Sequence, residues 1–230
     1  MRQLPLGVQL AVSSRFETFR AGHNLAAIEE LCALGRAPGQ VPLWLSGTEG
    51  TGKTHLLQAA VVRLSERGSA AAYLPLERCA GLGPSLLEGF EQLDAVLLDD
   101  LDRIAGDPLW EGALFTLHNE LQEQGGRLVV AARLPPAALP WQLADLRSRV
   151  AASSVHTLKP LPEQDQAEAL LARAAARGLE IPSETLSYLL RHAPRDFGAL
   201  CRLLDRLDDA SLATQRRLTV PLAREVLEGP

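Results

Sequence analysis

The stretch Gly47-Thr48-Glu49-Gly50-Thr51-Gly52-Lys53-Thr54 carries glycine, lysine and threonine at every fixed position of the phosphate-binding pattern G-x-x-x-x-G-K-[ST]. Glycines let the backbone wrap a polyphosphate, and successive N–H groups together with a helix N-terminus favour the anion. In that arrangement Lys53 reaches the outer phosphates and Thr54 offers its hydroxyl to Mg²⁺, with His55 next to them on the same helix. A second constellation follows at Asp99-Asp100, where the apolar run Ala95-Val96-Leu97-Leu98 stops abruptly in two carboxylates. Phosphoryl transfer rests on positioning and charge neutralisation, so Asp99 is assigned to the Mg²⁺ shell and Asp100 to orienting an attacking water. Arg195, at the start of a later helix where the dipole does not favour a cation, is a candidate phosphate-seeking residue, with a surface salt bridge as the alternative, whereas Arg149, in Arg147-Ser148-Arg149-Val150, taken alone reads as a solvated surface arginine.

These residues need a scaffold, and the hydrophobic pattern supplies one. Apolar strand-like runs at 43–46, 70–76, 95–100, 127–132 and 155–158 alternate with helical periods at 25–34, 53–67, 107–124 and 142–150. Near-continuous apolar strands alternating with helices imply a parallel five-stranded sheet covered on both faces, an α/β architecture. Ligands of such sheets bind outside the carboxyl ends of the strands, where both the glycine-rich loop and Asp99 fall. Beyond Lys159-Pro160 the pattern is helical only, over 163–177, 183–192, 195–213 and 220–227. The organisation expected is a tail over 1–15, an αβα nucleotide-binding domain over 16–160 and a small helical lid domain over 161–230.

With 230 residues, of which 47% are apolar, the chain can bury a substantial core. Its formal net charge of −5 argues against strong direct DNA binding, although local basic pairs such as Arg216-Arg217 remain. Cys32, Cys79 and Cys201 lie far apart and form neither a zinc pattern nor a redox pair. No run approaches the length of a membrane span and the N-terminus lacks a signal-peptide pattern, so a cytoplasmic location is expected.

Several blocks resemble a known family, the DnaA/Hda clade of AAA+ ATPases, over nearly the whole chain. Phe16 to Asn24 is similar to the leading segment of that clade, Leu98 to Gly106 to its Walker B block, Leu146 to Arg149 to its arginine-finger block, and Ala210 to Pro221 to the end of its helical lid. The resemblance implies an AAA+ P-loop domain followed by a lid, with bound ADP or ATP and Mg²⁺. It implies that Gly47, Gly50, Thr51, Gly52, Lys53, Thr54 and His55 hold nucleotide, that Arg195 is the lid arginine called sensor 2, and that Arg149 is a finger acting in trans on a neighbour's nucleotide.

Gln3-Leu4-Pro5-Leu6 is similar to the short Gln-Leu-x-Leu peptides that dock proteins on the DNA polymerase III beta sliding clamp, with Gln3, Leu4 and Leu6 as the contacts. Pro230 leaves no room for the DNA-binding domain that follows the AAA+ body of DnaA, so a regulator is expected rather than an initiator. The resulting expectation is a negative regulator of replication initiation, docked on the loaded clamp, whose Arg149 stimulates hydrolysis of the ATP bound to DnaA. A homodimer is compatible with the clade. Arg133 stands after the fourth strand, where a polar residue usually orients the attacking water, which puts hydrolysis of this chain's own nucleotide in question. Two alternatives stay open: a self-hydrolysing AAA+ ATPase such as a helicase loader, and a passive clamp adaptor.

Overall fold

The structure, a computed structural model, describes residues 14–35, 41–193, 196–214 and 217–228. Gln3, Leu4, Leu6 and Arg195 therefore lie outside the described residues. Strands β1 (Leu43–Ser46), β2 (Ala71–Pro75), β3 (Ala95–Asp99), β4 (Arg127–Ala132) and β5 (Ser154–Thr157) form one sheet in the order β2-β3-β4-β1-β5, and every neighbouring pair is parallel. Parallel neighbours require crossover connections, which the chain supplies mainly as helices. Helix α1 (Leu25–Cys32) precedes the sheet. α2 (Lys53–Glu66) follows β1, the short α3 (Leu76–Cys79) follows β2, α4 (Pro108–Glu123) follows β3 and α5 (Ala144–Ala151) follows β4.

Alternation along the strands divides the core in two. Trp44, Val96, Leu98, Leu128 and Val130 face one cluster with Trp110 and Leu114 of α4, whereas Leu43, Leu45, Leu97, Val129 and Ala131 face the other with Leu56 and Leu57 of α2. This is the period of two that a sheet buried on both sides imposes. Asp107 caps α4, its carboxylate accepting from the Leu109 N–H at 2.9 Å, with Pro108 in the first turn as the sequence predicts.

The Gly/Pro-rich stretch after β2 differs from a plain connection. It folds into α3 and three single-turn 3₁₀ segments at Ala80–Leu82, Pro84–Leu87 and Phe90–Gln92, elements too short to carry a hydrophobic period. Ser14 and Arg15, placed in the tail by sequence, also belong to the domain. Ser14 is buried and donates to Gln58 Oε1 at 2.8 Å, and Arg15 pairs with Glu66 at 2.8 Å, both on α2.

The remaining helices are α6 (Glu163–Ala175), α7 (Ser183–His192), α8 (Phe197–Thr214) and α9 (Val220–Glu228). Leu170, Leu200 and Leu204 join α6 to α8, and Leu189, Leu207 and Leu222 join α7, α8 and α9. This unit has its own small cores, and among the described residues no helix is long and apolar enough to cross a membrane.

Candidate nucleotide site

The loop Gly47 to Gly52 links the end of β1 to α2 at the carboxyl edge of the sheet. It turns through Gly50 (φ 79°) and Gly52 (φ 91°), backbone states that L side chains rarely adopt. A Cβ at Gly52 would also strike the Phe19 ring, so the leading segment packs directly on the loop. Lys53 opens α2 and is buried. Its Nζ donates to the carbonyls of Gly47 at 2.6 Å and Thr48 at 2.9 Å, which holds the loop curved around the ammonium. Burial depresses the Lys53 pKa, opposed by the carboxylates of Asp99, Asp100 and Asp102.

Asp99 ends β3 with 1% of its surface exposed. Burial raises its pKa, while the Thr54 hydroxyl, the Tyr73 hydroxyl and the Asp100 N–H all bond to it and pull the other way. Tyr73 donates at 2.9 Å to Oδ2 and Asp100 N–H donates at 3.1 Å to Oδ1. Burial, then the Asp99 charge, push the Tyr73 hydroxyl well above its ordinary value, so it is a donor throughout the working range. Asp100 sits in the left-handed region at φ 56°, and burial together with Asp99, Glu77 and Asp102 raises its pKa to about 6.

A cleft of about 490 Å³ opens over these groups. Gly50 to His55 form one wall, Asp100 and Arg133 another, and α6 and α8 contribute Arg173, Phe197 and Cys201. The volume suits a nucleotide-sized ligand. His55 stacks near Phe19, with ring centroids 5.4 Å apart, and its Nε2 lies 2.9 Å from the Arg15 carbonyl; burial lowers its pKa. Among the described residues no group of three or more His, Cys, Asp or Glu forms a metal cage. Thr54 and Asp99, close enough for the hydroxyl to lower the Asp99 pKa, instead offer the one or two hard oxygens with which proteins hold Mg²⁺ alongside phosphates.

Arg133 lies directly after β4 on the cleft wall, its N–H donating to Asp102 at 2.8 Å. The position expected to carry a polar water-orienting side chain therefore carries a cation, whose backbone N–H is the donor to Asp102 and whose guanidinium lies 3.9 Å from the same carboxylate. Arg173 went unnoticed in the sequence because it reads as an ordinary α6 surface residue. It lines the cleft, and its buried Nε has no hydrogen-bond partner among the described residues.

Arg149 is not brought to this cleft. It occupies the last turn of α5, where a cation suits the helix dipole, and it is exposed with no ion pair among the described residues. Its helix is well anchored. Leu146 and Val150 are buried, and Glu111, 1% exposed, accepts from the N–H groups of Gly106 at 2.8 Å, Gln142 at 2.9 Å and Leu143 at 2.7 Å. This clamps the start of α5 to α4. Burial, then the Arg149 charge, lower the pKa of His118 on α4.

A glycine-rich phosphate loop, a carboxylate-ended strand in a parallel sheet of this order, and a helical lid define the chain as an AAA+ P-loop protein. The family model described as the Hda lid domain matches residues 163–227. Domain III of the Thermotoga maritima replication initiation protein DnaA is similar over 94% of this chain and 96% of its own, at 25% identity and a TM-score of 0.79. AMPPCP-bound DnaA from Aquifex aeolicus aligns at 23% identity and a TM-score of 0.65, over 89% of this chain and 74% of that one. The RuvB Holliday junction branch migration motor of Thermotoga maritima shares the fold at 16% identity, with a TM-score of 0.67 over 95% and 73%. The chain is thus similar to DnaA domain III over most of its length, and residues 163–227 match the Hda lid domain.

Proposed function

We propose that the protein is a nucleotide-bound negative regulator of replication initiation that uses Arg149 to promote hydrolysis of ATP held by DnaA. The observation that carries this reading is the placement of Arg149: exposed, unpaired among the described residues and outside the lining of the chain's own cleft, yet fixed by a well-anchored α5. A cation so placed can neutralise charge only on a ligand brought by another molecule. An arginine supplied in trans to a phosphoryl-transfer site is worth about 10³ to 10⁵ in rate.

Gly47, Gly50, Thr51, Gly52 and Lys53 cradle the resident nucleotide, Arg195 is assigned to it as the lid arginine, and Thr54 and Asp99 hold Mg²⁺. The ion, when bound, neutralises phosphate charge. ADP is the resident nucleotide that the resemblance to the DnaA/Hda clade favours, and Arg133 at the water-orienting position argues against turnover of the chain's own nucleotide. Gln3, Leu4 and Leu6 dock the protein on the sliding clamp, which places it on newly replicated DNA.

The test is to incubate ATP-loaded DnaA with this protein, with and without DNA-loaded clamp, and to follow conversion of the initiator's ATP to ADP. Conversion should require both the protein and the clamp. Arg149→Ala should lower it on the order of 10³-fold while ADP binding by the variant is unchanged. Rapid ATP turnover by the isolated protein, or full activity of the variant, would reject the reading.

A further inference from the structure

Four side chains reach from the start of the domain to the Asp99 carboxylate. Ser14 Oγ donates to Gln58 Oε1 at 2.8 Å, Gln58 lies close enough to the Tyr73 hydroxyl to lower its pKa, and that hydroxyl donates to Asp99 Oδ2 at 2.9 Å. The four come from separate parts of the fold: the segment before the first 3₁₀ turn, α2, β2 and β3. Parallel register pairs Tyr73 with Leu97 and Pro75 with Asp99, so Tyr73 and Asp99 share a sheet face as diagonal neighbours. An aromatic side chain spans that diagonal, and a shorter one does not.

These contacts bear on one group of consequence. Asp99 is too buried to be held by solvent, and the orientation of its carboxylate decides where an oxygen is left for a cation beside Thr54. Partners that hydrogen-bond a ligating carboxylate orient it and tune the affinity of the metal it holds. Tyr73 is such a partner. It occupies Oδ2 from the β2 side, with Gln58 beside its oxygen and Ser14 bonded to Gln58. No part of the sequence pattern around Ala71–Pro75 marks Tyr73 for this, since the strand reads as an ordinary apolar run.

We propose that Tyr73 is the positioning residue of the Asp99 carboxylate at the Mg²⁺ site, and that Ser14, acting through Gln58, makes this positioning depend on seating of the chain's N-terminal segment. The inference rests on the reading of Asp99 as a metal ligand given under Proposed function.

The experiment uses the full chain and a fluorescent ADP analogue, titrated with Mg²⁺ and separately in EDTA. Tyr73→Phe keeps the ring and removes the donor; it should raise the Mg²⁺ needed for half-maximal binding roughly tenfold and leave affinity in EDTA unchanged. Ser14→Ala should shift the requirement in the same direction by less, and should add nothing to Tyr73→Phe. In an Asp99→Asn background Tyr73→Phe should have no further effect. An unaltered Mg²⁺ requirement, an equal loss in EDTA, or additive effects in either double variant would overturn the proposal. If Asp99→Asn alone leaves the Mg²⁺ requirement untouched, the metal assignment fails as well. If Asp99→Asn shifts it and Tyr73→Phe does not, only the positioning role is lost.

Discussion

Gly198 at the start of α8 rests on Gly50 of the phosphate loop so closely that a Cβ on Gly198 would fall 2.6 Å from the Gly50 Cα. Around this contact Arg202 pairs with Glu49 at 2.9 Å, and Arg20 pairs with Glu168 of α6 at 3.0 Å. The lid is thus in direct contact with the loop that would carry the phosphates. Exposed ion pairs such as Arg202–Glu49 contribute little by themselves, so the close backbone approach is what sets the geometry.

Gly198→Ala should therefore push the lid off the loop. Overpacking of this kind costs about 1 to 3 kcal/mol, and each kcal/mol lowers the melting temperature of a chain this size by roughly 2 to 4 °C. Calorimetry should show that loss together with weaker ADP binding. Gly81→Ala, where nothing lies within 4 Å of the added carbon, is the control and should be neutral or slightly stabilising.

Lys53→Ala removes the ammonium that bridges the Gly47 and Thr48 carbonyls. Saturating ADP at about 100 times Kd should stabilise the wild-type protein by about 2.7 kcal/mol. Thermal scans with and without ADP should show that gain largely abolished in the variant. An undiminished ADP shift would remove Lys53 from the phosphate site.

Asp100→Asn tests the carboxylate cluster through pH. The Asp100 pKa lies at about 6 in the folded protein against an ordinary 3.8. Below pH 4 the group is protonated in both folded and unfolded states and its contribution to stability is fully present. As pH rises through 6 the folded state must ionise Asp100 among its acidic neighbours, and that contribution is lost. The variant should match wild type near pH 4 and be the more stable above pH 6, measured without nucleotide or metal. Asn tolerates the left-handed backbone at φ 56°, so the comparison isolates the charge.

Leu4→Ala combined with Leu6→Ala should abolish retention on immobilised sliding clamp while leaving ADP affinity intact. Equal retention of wild type and double variant would reject the docking assignment.

The phosphate loop, the β3 carboxylates and the strand–helix alternation were legible because each is local: a glycine pattern, a run of apolar residues, a period. The Tyr73–Asp99 bond was not, since it depends on which strands pair and in what register, and no local window contains both residues. Ser14 escaped for a different reason. Its place in the domain comes from one polar contact to Gln58 rather than from apolar periodicity, so it reads as tail. Helix ends differ by a residue or two, as at Ala175 against 177, where the end turn frays or tightens.

Because Arg149 lies outside the lining of its own chain's cleft, any contact that brings it to a phosphate must join unlike surfaces of two molecules. Such a union has a direction. Joined head to tail, it leaves an unengaged cleft at one end and an unused arginine at the other, and it closes only if the rotation between neighbours completes a ring. A molecule built this way can act on one neighbour, separate unchanged, and act on the next.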